Sequence, residues 1–226
     1  CIRDSSTVGQ RVVDFENLMA GFLGVKHAVA MVNGTAALHI ALLAAGVEPD
    51  SEVITQPLSF VATTNAISYA NAHPVFLDVE EESMSLCPEK LATWLEDNVE
   101  LKNDQAVNKS TGRVISACVP MHTFGFIGNI EAIIKVCDSF GIPVVEDAAE
   151  SLGSTLNGRH AGTFGVCAAI SFNGNKIMTT GGGGMLVTND DAIAELARHL
   201  STTAKQPHKW EYAVSYTHLR AHETPI

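Results

Sequence analysis

Val166-Cys167-Ala168-Ala169-Ile170-Ser171-Phe172-Asn173-Gly174-Asn175-Lys176 runs from a continuous apolar stretch into small polar residues and ends on a lysine. An apolar run of this length, not alternating with polar residues, reads as a strand buried on both faces of a sheet. The same character recurs at Ala28–Val32, Glu52–Thr55, Pro74–Asp78, Val114–Pro120, Pro143–Glu146 and Met185–Thr188. Between these runs the apolar period switches to that of a helix. Phe15, Leu18, Met19 and Phe22 follow i, i+3, i+4, i+7 spacing up to Gly24, and Leu38, Ala41, Leu42 and Ala45 lead to Gly46. Helices are likewise expected over Phe60–Ala70, over Pro88–Glu100 with proline at its start, over Ile130–Cys137 before Gly141, and over Ile193–Leu200. Strands alternating with helices predict an α/β fold with a mostly parallel sheet covered on both faces. Residues 101–113 are polar and are expected to form a surface loop.

Composition narrows the function classes. Hydrophobic residues make up 46% of the 226-residue chain, enough for a sizeable core. The formal net charge is −11, and Lys and Arg do not cluster, which disfavours nucleic acid and anionic membrane as partners. No apolar run reaches the ~18 residues of a membrane span. Cys1, Cys87, Cys118, Cys137 and Cys167 are odd in number and scattered. Cys118, Cys137 and Cys167 lie in apolar stretches and are expected to be buried reduced thiols in a cytoplasmic protein.

In open α/β sheets, ligands collect at the carboxyl ends of strands, so the polar residues there carry the functional reading. Asn33-Gly34-Thr35-Ala36 lies between a strand and a helix. It is either a phosphate site at a helix N-terminus or a capped turn. Phe60, after Pro57-Leu58-Ser59, either stacks on a flat ring or packs in the core. Glu146-Asp147-Ala148-Ala149-Glu150 ends another apolar run. An acid there can pair with a cationic ring nitrogen such as that of pyridoxal phosphate. Ser171 is placed to reach a phosphate, and Lys176 is placed to form a Schiff base with a carbonyl. Gly181 to Gly184 allow the backbone to pass close to a ligand or simply to turn. No metal site is expected, because His122 and His160 stand alone.

The order phosphate turn, aromatic, acid, serine, lysine resembles the sugar aminotransferases of the DegT/DnrJ/EryC1/StrS family. The resemblance rests on Asn33-Gly34-Thr35-Ala36-Ala37-Leu38, Ser59-Phe60-Val61-Ala62-Thr63, Val145-Glu146-Asp147-Ala148-Ala149-Glu150 and Ser171-Phe172-Asn173-Gly174-Asn175-Lys176. It implies the three-layer large domain of the fold type I pyridoxal-phosphate enzymes. Lys176 would hold the cofactor as a Schiff base and move protons, and Asp147 would pair with its ring nitrogen. Phe60 would stack on the ring, Glu150 would lie near the ring hydroxyl, and Gly34, Thr35, Ala36 and Ser171 would hold the phosphate. The branch resembled most aminates nucleotide-linked 4-keto-6-deoxy sugars, with glutamate as donor and a homodimer as the working form. Another fold type I enzyme (a dehydratase or lyase) and a non-catalytic cofactor-binding regulator are the alternatives. Lys176 favours the aminotransferase, since dehydratases of the family carry histidine there. Ile127 stands where the family pattern suggests proline. Residues 1–213 are expected to be a large-domain fragment lacking the C-terminal small domain, and inactive as it stands. Residues 214–226, beginning Val214-Ser215-Tyr216-Thr217-His218, resemble a translated sequencing adapter.

Overall fold

The computed structural model describes residues 9–202. Cys1 and the adapter-like stretch from Val214 lie outside the described residues. The first helix, α1, is Gln10–Leu23, closed by Gly24 in the left-handed conformation (φ 72°). There follow β1 (His27–Met31), α2 (Gly34–Ala44), β2 (Glu52–Thr55), α3 (Val61–Tyr69), β3 (His73–Phe76) and α4 (Pro88–Asn98). Next come β4 (Val99–Lys102), β5 (Gln105–Asn108), β6 (Ile115–Val119), α5 (Ile130–Asp138) and β7 (Val145–Asp147). The described chain closes with β8 (Thr155–Leu156), β9 (Arg159–His160), β10 (Cys167–Ser171), β11 (Gly184–Thr188) and α6 (Asp191–Ser201).

The strands form β3-β2-β6 and β7-β10-β11-β1. Parallel bridges Cys118↔Val144 and Met121↔Asp147 join β6 to β7, so the two sets make one continuous sheet. β2 runs parallel to β3 and to β6, and β7 runs parallel to β10. β11 is antiparallel to both its neighbours, β10 and β1. The expected mostly parallel sheet is therefore present, with β11 reversed.

Alternation along each strand divides the core into layers. Val29, Met31, Cys167, Ala169 and Leu186 face α2 and α3, together with Leu38, Leu42, Ala66 and Ile67. Ala28, Ala168, Ile170, Met185 and Val187 face the other way, onto Met19 and Leu23 of α1. Ile54, Cys118 and Val144 pack on the same far side against Leu91 and Leu95 of α4 and Ile133 and Cys137 of α5. Helices thus cover both faces, as runs without polar alternation require.

Three expectations change. Residues 101–113 are not a plain loop, because β4 and β5 pair as a hairpin with Val99 opposite Asn108, and the helix expected to run to Glu100 ends at Asn98 because Val99 and Glu100 belong to that hairpin. Its turn residues Asn103 and Asp104 both adopt left-handed φ, 50° and 62°, which suits the twist of a two-residue hairpin. The strand expected to stop at Glu146 includes Asp147, held there by its bridge to Met121.

Candidate active site

The ends of β1, β7 and β10 meet on one edge of the sheet and bring Asn33, Gly34, Asp147 and Ser171 together. They line a cleft of about 290 Å³ with Thr35, Leu38, Phe60, Ala62, Met121, Ala149, Asn173, Asn175 and Lys176.

At the turn after β1, Asn33 caps α2. Its side chain accepts the Ala36 N–H at 2.7 Å. Helix geometry leaves the N–H groups of Gly34 and Thr35 without partners inside α2, at the positive end of the helix dipole. A Cβ on Gly34 would lie 2.8 Å from the Ser171 Cβ and 3.0 Å from its Oγ. The turn and the serine therefore close on one another as a cradle that only a bare backbone permits.

Asp147 is 5% exposed. Its Oδ2 accepts the Thr63 hydroxyl at 2.6 Å, and its Oδ1 accepts the Ala149 N–H at 3.2 Å. Burial holds its pKa above the usual carboxylate range, against the pull of the Thr63 and Ala149 hydrogen bonds and of His122 and Lys176 nearby. Lys176 Nζ donates to Glu150 Oε1 at 2.9 Å and sits 5.8 Å from the Phe60 ring centre. The other oxygen of Glu150 accepts the Phe124 N–H at 3.2 Å. Phe124 has φ 54°, and Gly125 (φ 87°) leaves no room for a side chain beside the Glu150 carbonyl. This turn is thus wrapped onto Glu150, at a backbone cost of roughly 1–3 kcal/mol for the non-glycine residue. Phe60 is 62% exposed, so core packing does not account for it.

His122 and Glu146 are both fully buried and paired, Nε2 to Oε2 at 2.8 Å. Glu146 also accepts the N–H groups of Gly162, Phe164 and Gly165. This pair ties β6, β7 and the segment before β10 together beneath the cleft. Among the described residues no cluster of His, Cys, Asp and Glu is arranged to hold a metal.

These residues lie in a chain whose residues 3–220 match the family model described as DegT/DnrJ/EryC1/StrS aminotransferase family. The chain belongs to that family. It is 42% identical over 211 residues to EpsN of Bacillus subtilis (strain 168), whose name assigns it provisionally to the pyridoxal phosphate-dependent aminotransferases, with 93% of this chain and 50% of EpsN covered. It is 38% identical to the GDP-perosamine synthase of Caulobacter vibrioides, with 90% of this chain and 51% of that protein covered. Among solved structures, DesI in the presence of its TDP-sugar product superposes with a TM-score of 0.74 at 34% identity, over 85% of this chain and 44% of DesI. The chain spans about half the length of the curated relatives it matches. The fold is that of the fold type I aminotransferases.

Pyridoxal phosphate is the cofactor of the DegT/DnrJ/EryC1/StrS aminotransferases, and the cleft fits it. The Gly34–Ser171 cradle is open to a group that binds backbone N–H, a buried acid faces the cleft, and a primary amine enters it. Three contributors escape sequence reasoning. Thr63 and the His122–Glu146 pair act across the fold, 84 and 24 residues from their partners. Gly184 is needed by the Asn33–Gly34 turn rather than by a ligand, since a Cβ there would lie 2.3 Å from the Asn33 carbonyl. Ile127 packs on the core beneath α4 and α5, and Gly128 closes against Ser85, so this loop is anchored without the proline of the family pattern.

Proposed function

We propose that this chain carries the cofactor-binding half of a pyridoxal-phosphate aminotransferase that aminates a nucleotide-linked 4-keto-6-deoxy sugar. The observation that carries this reading is Lys176, whose amine enters a cleft containing a buried acid, an exposed aromatic ring and a backbone-lined cradle. In this reading the N–H and hydroxyl of Thr35, the N–H of Gly34 and the hydroxyl of Ser171 bind the phosphate, next to Ala36. Asp147 holds a proton on the ring nitrogen, Phe60 covers one ring face, and Glu150 lies beside the ring hydroxyl. The cofactor, when bound, supplies an electron sink for the carbon that gains or loses the amine. Lys176 carries the proton to and from that carbon, and Glu150 receives the lysine ammonium whenever it is free. The GDP-perosamine synthase and DesI relatives support a nucleotide-linked sugar as acceptor. Glutamate is the proposed donor and a homodimer the proposed assembly. Four described cysteines, all free and buried, support a reducing, cytoplasmic setting.

The test uses the polypeptide as its gene encodes it. Borohydride treatment after loading with pyridoxal phosphate should fix the cofactor to the peptide containing Lys176. Amine should pass from glutamate to a nucleotide-linked keto sugar, and Lys176→Ala should abolish both. A wild-type protein that fixes no cofactor on Lys176 would sink the reading.

A further inference from the structure

The geometry points to Thr63 as a positioning residue that holds Asp147 aimed and charged for the cofactor ring nitrogen. This rests on the functional reading above and adds a residue to it. Thr63 lies in the first turn of α3, three residues after Phe60, and is fully buried. A threonine on a helix can turn its hydroxyl back onto the carbonyl four residues earlier. The exposed Thr93 of α4 does so, donating to the Glu89 carbonyl at 3.0 Å. Thr63 instead reaches across the fold, donating its hydroxyl to Asp147 Oδ2 at 2.6 Å.

That bond answers a specific difficulty. Asp147 is buried, and burial favours the neutral acid, which cannot keep a proton on a ring nitrogen. Of the influences opposing burial, the Thr63 hydroxyl is the largest, ahead of the Ala149 N–H, His122 and Lys176. Each oxygen of Asp147 then has one donor fixed by the protein, Thr63 on Oδ2 and Ala149 on Oδ1. A carboxylate has about four acceptor positions, so both oxygens retain capacity toward the cleft that Asp147 lines. Valine would fill the space of Thr63 equally well. What the hydroxyl adds is directed at the acid. Phe60 and Thr63 also stand on one segment, so α3 places the exposed ring and the acid's support together.

The experiment uses the full-length protein as Thr63→Val, Thr63→Ser, Asp147→Ala and Thr63→Val in the Asp147→Ala background. Two quantities are read: the dissociation constant of pyridoxal phosphate, and the pyridine-nitrogen NMR resonance of isotope-labelled pyridoxal phosphate bound to each variant. Thr63→Val should weaken binding roughly tenfold or more, as expected for losing a hydrogen bond to a charged group, and should move the resonance toward the unprotonated position. Thr63→Ser should keep both near wild type. In the Asp147→Ala background Thr63→Val should add less than about twofold, because the group it acts through is gone. If Thr63→Val does not fold, Thr63→Ala, which sets no methyl against the carboxylate, is judged by the same two readings. Wild-type resonance and affinity in the hydroxyl-free variant would overturn the inference, as would an equal loss with Asp147 absent. A wild-type protein that binds no pyridoxal phosphate would instead overturn the functional reading, and this inference with it.

Discussion

Gly184→Ala isolates a packing requirement that four consecutive glycines conceal. Gly184 opens β11 and pairs with Met31 on one side and Ser171 on the other, so it lies between the two walls of the cradle. Its φ is not left-handed, and the need for glycine is one of space. A Cβ would stand 2.3 Å from both the carbonyl carbon and oxygen of Asn33 and 2.6 Å from the Gly34 nitrogen. Carbon contacts normally sit at about 3.5–4.0 Å, so the strand and the turn would have to separate by more than about 1 Å. Overpacking against movable side chains costs about 1–3 kcal/mol. All three atoms here belong to backbone, which places the cost near 3 kcal/mol. For a domain of this size each kcal/mol lowers Tm by about 2–4 °C, which gives a fall of roughly 6–12 °C. The displaced turn also carries the Gly34 and Thr35 N–H groups. Affinity for pyridoxal phosphate should therefore fall in protein that is still folded. Gly182→Ala is the control, since Gly182 has no atom within 4 Å of a built Cβ and no left-handed φ. It should leave Tm and cofactor affinity unchanged or raise stability by about 0.4–1 kcal/mol. Circular-dichroism melts and a cofactor titration on both variants decide the matter. Equal effects at Gly182 and Gly184, or a Gly184→Ala melt within about 2 °C of wild type, would refute the reasoning.

Glu146→Ala removes the acceptor of His122 and of three backbone N–H groups in a fully buried site. A loss of about 3–5 kcal/mol is expected, read as a lower melting temperature, with Glu146→Gln intermediate. Without cofactor, Asp147→Asn should be more stable than wild type at neutral pH. The folded-state pKa of Asp147 is raised above 3.8 by burial, so the native state binds its proton more tightly than the unfolded chain does. Stability from this group is lost as pH rises through the folded-state value, and the gap should close below the unfolded value in urea titrations across pH. The opposite sign would contradict the assignment of burial as the dominant influence. Contact with the Cys137 thiol, then burial, raises the pKa of Cys118, and burial raises that of Cys167. Both should stay silent toward a thiol-exchange reagent until the protein unfolds, and prompt labelling of the native protein would count against the buried placement.

The layers were legible because each strand is a local apolar run and each helix a local period. β2, β6 and β10 are buried along almost their whole length, so their sequences had no polar alternation to blur them. The hairpin of β4 and β5 was not legible, since its strands are short, partly exposed and joined by Asn103-Asp104 rather than by a glycine turn. The Asn157-Gly158 turn between β8 and β9 carried the stronger signal, but its strands are two residues each. The reversal of β11 has no local signature, because nothing in Gly184–Thr188 distinguishes a parallel strand from an antiparallel one. The same limit divides the candidate site. Lys176, Asp147, Ser171 and Phe60 were readable because strand ends are readable and chemistry gathers there. Thr63 looked like an ordinary helical threonine and Gly184 like one of four interchangeable glycines. Their importance arises only when the fold brings Asp147 and Asn33 against them. Residues proposed to touch the cofactor announce themselves by chemical type, whereas residues that aim those side chains are identified by distance, and distance is supplied by the sheet order.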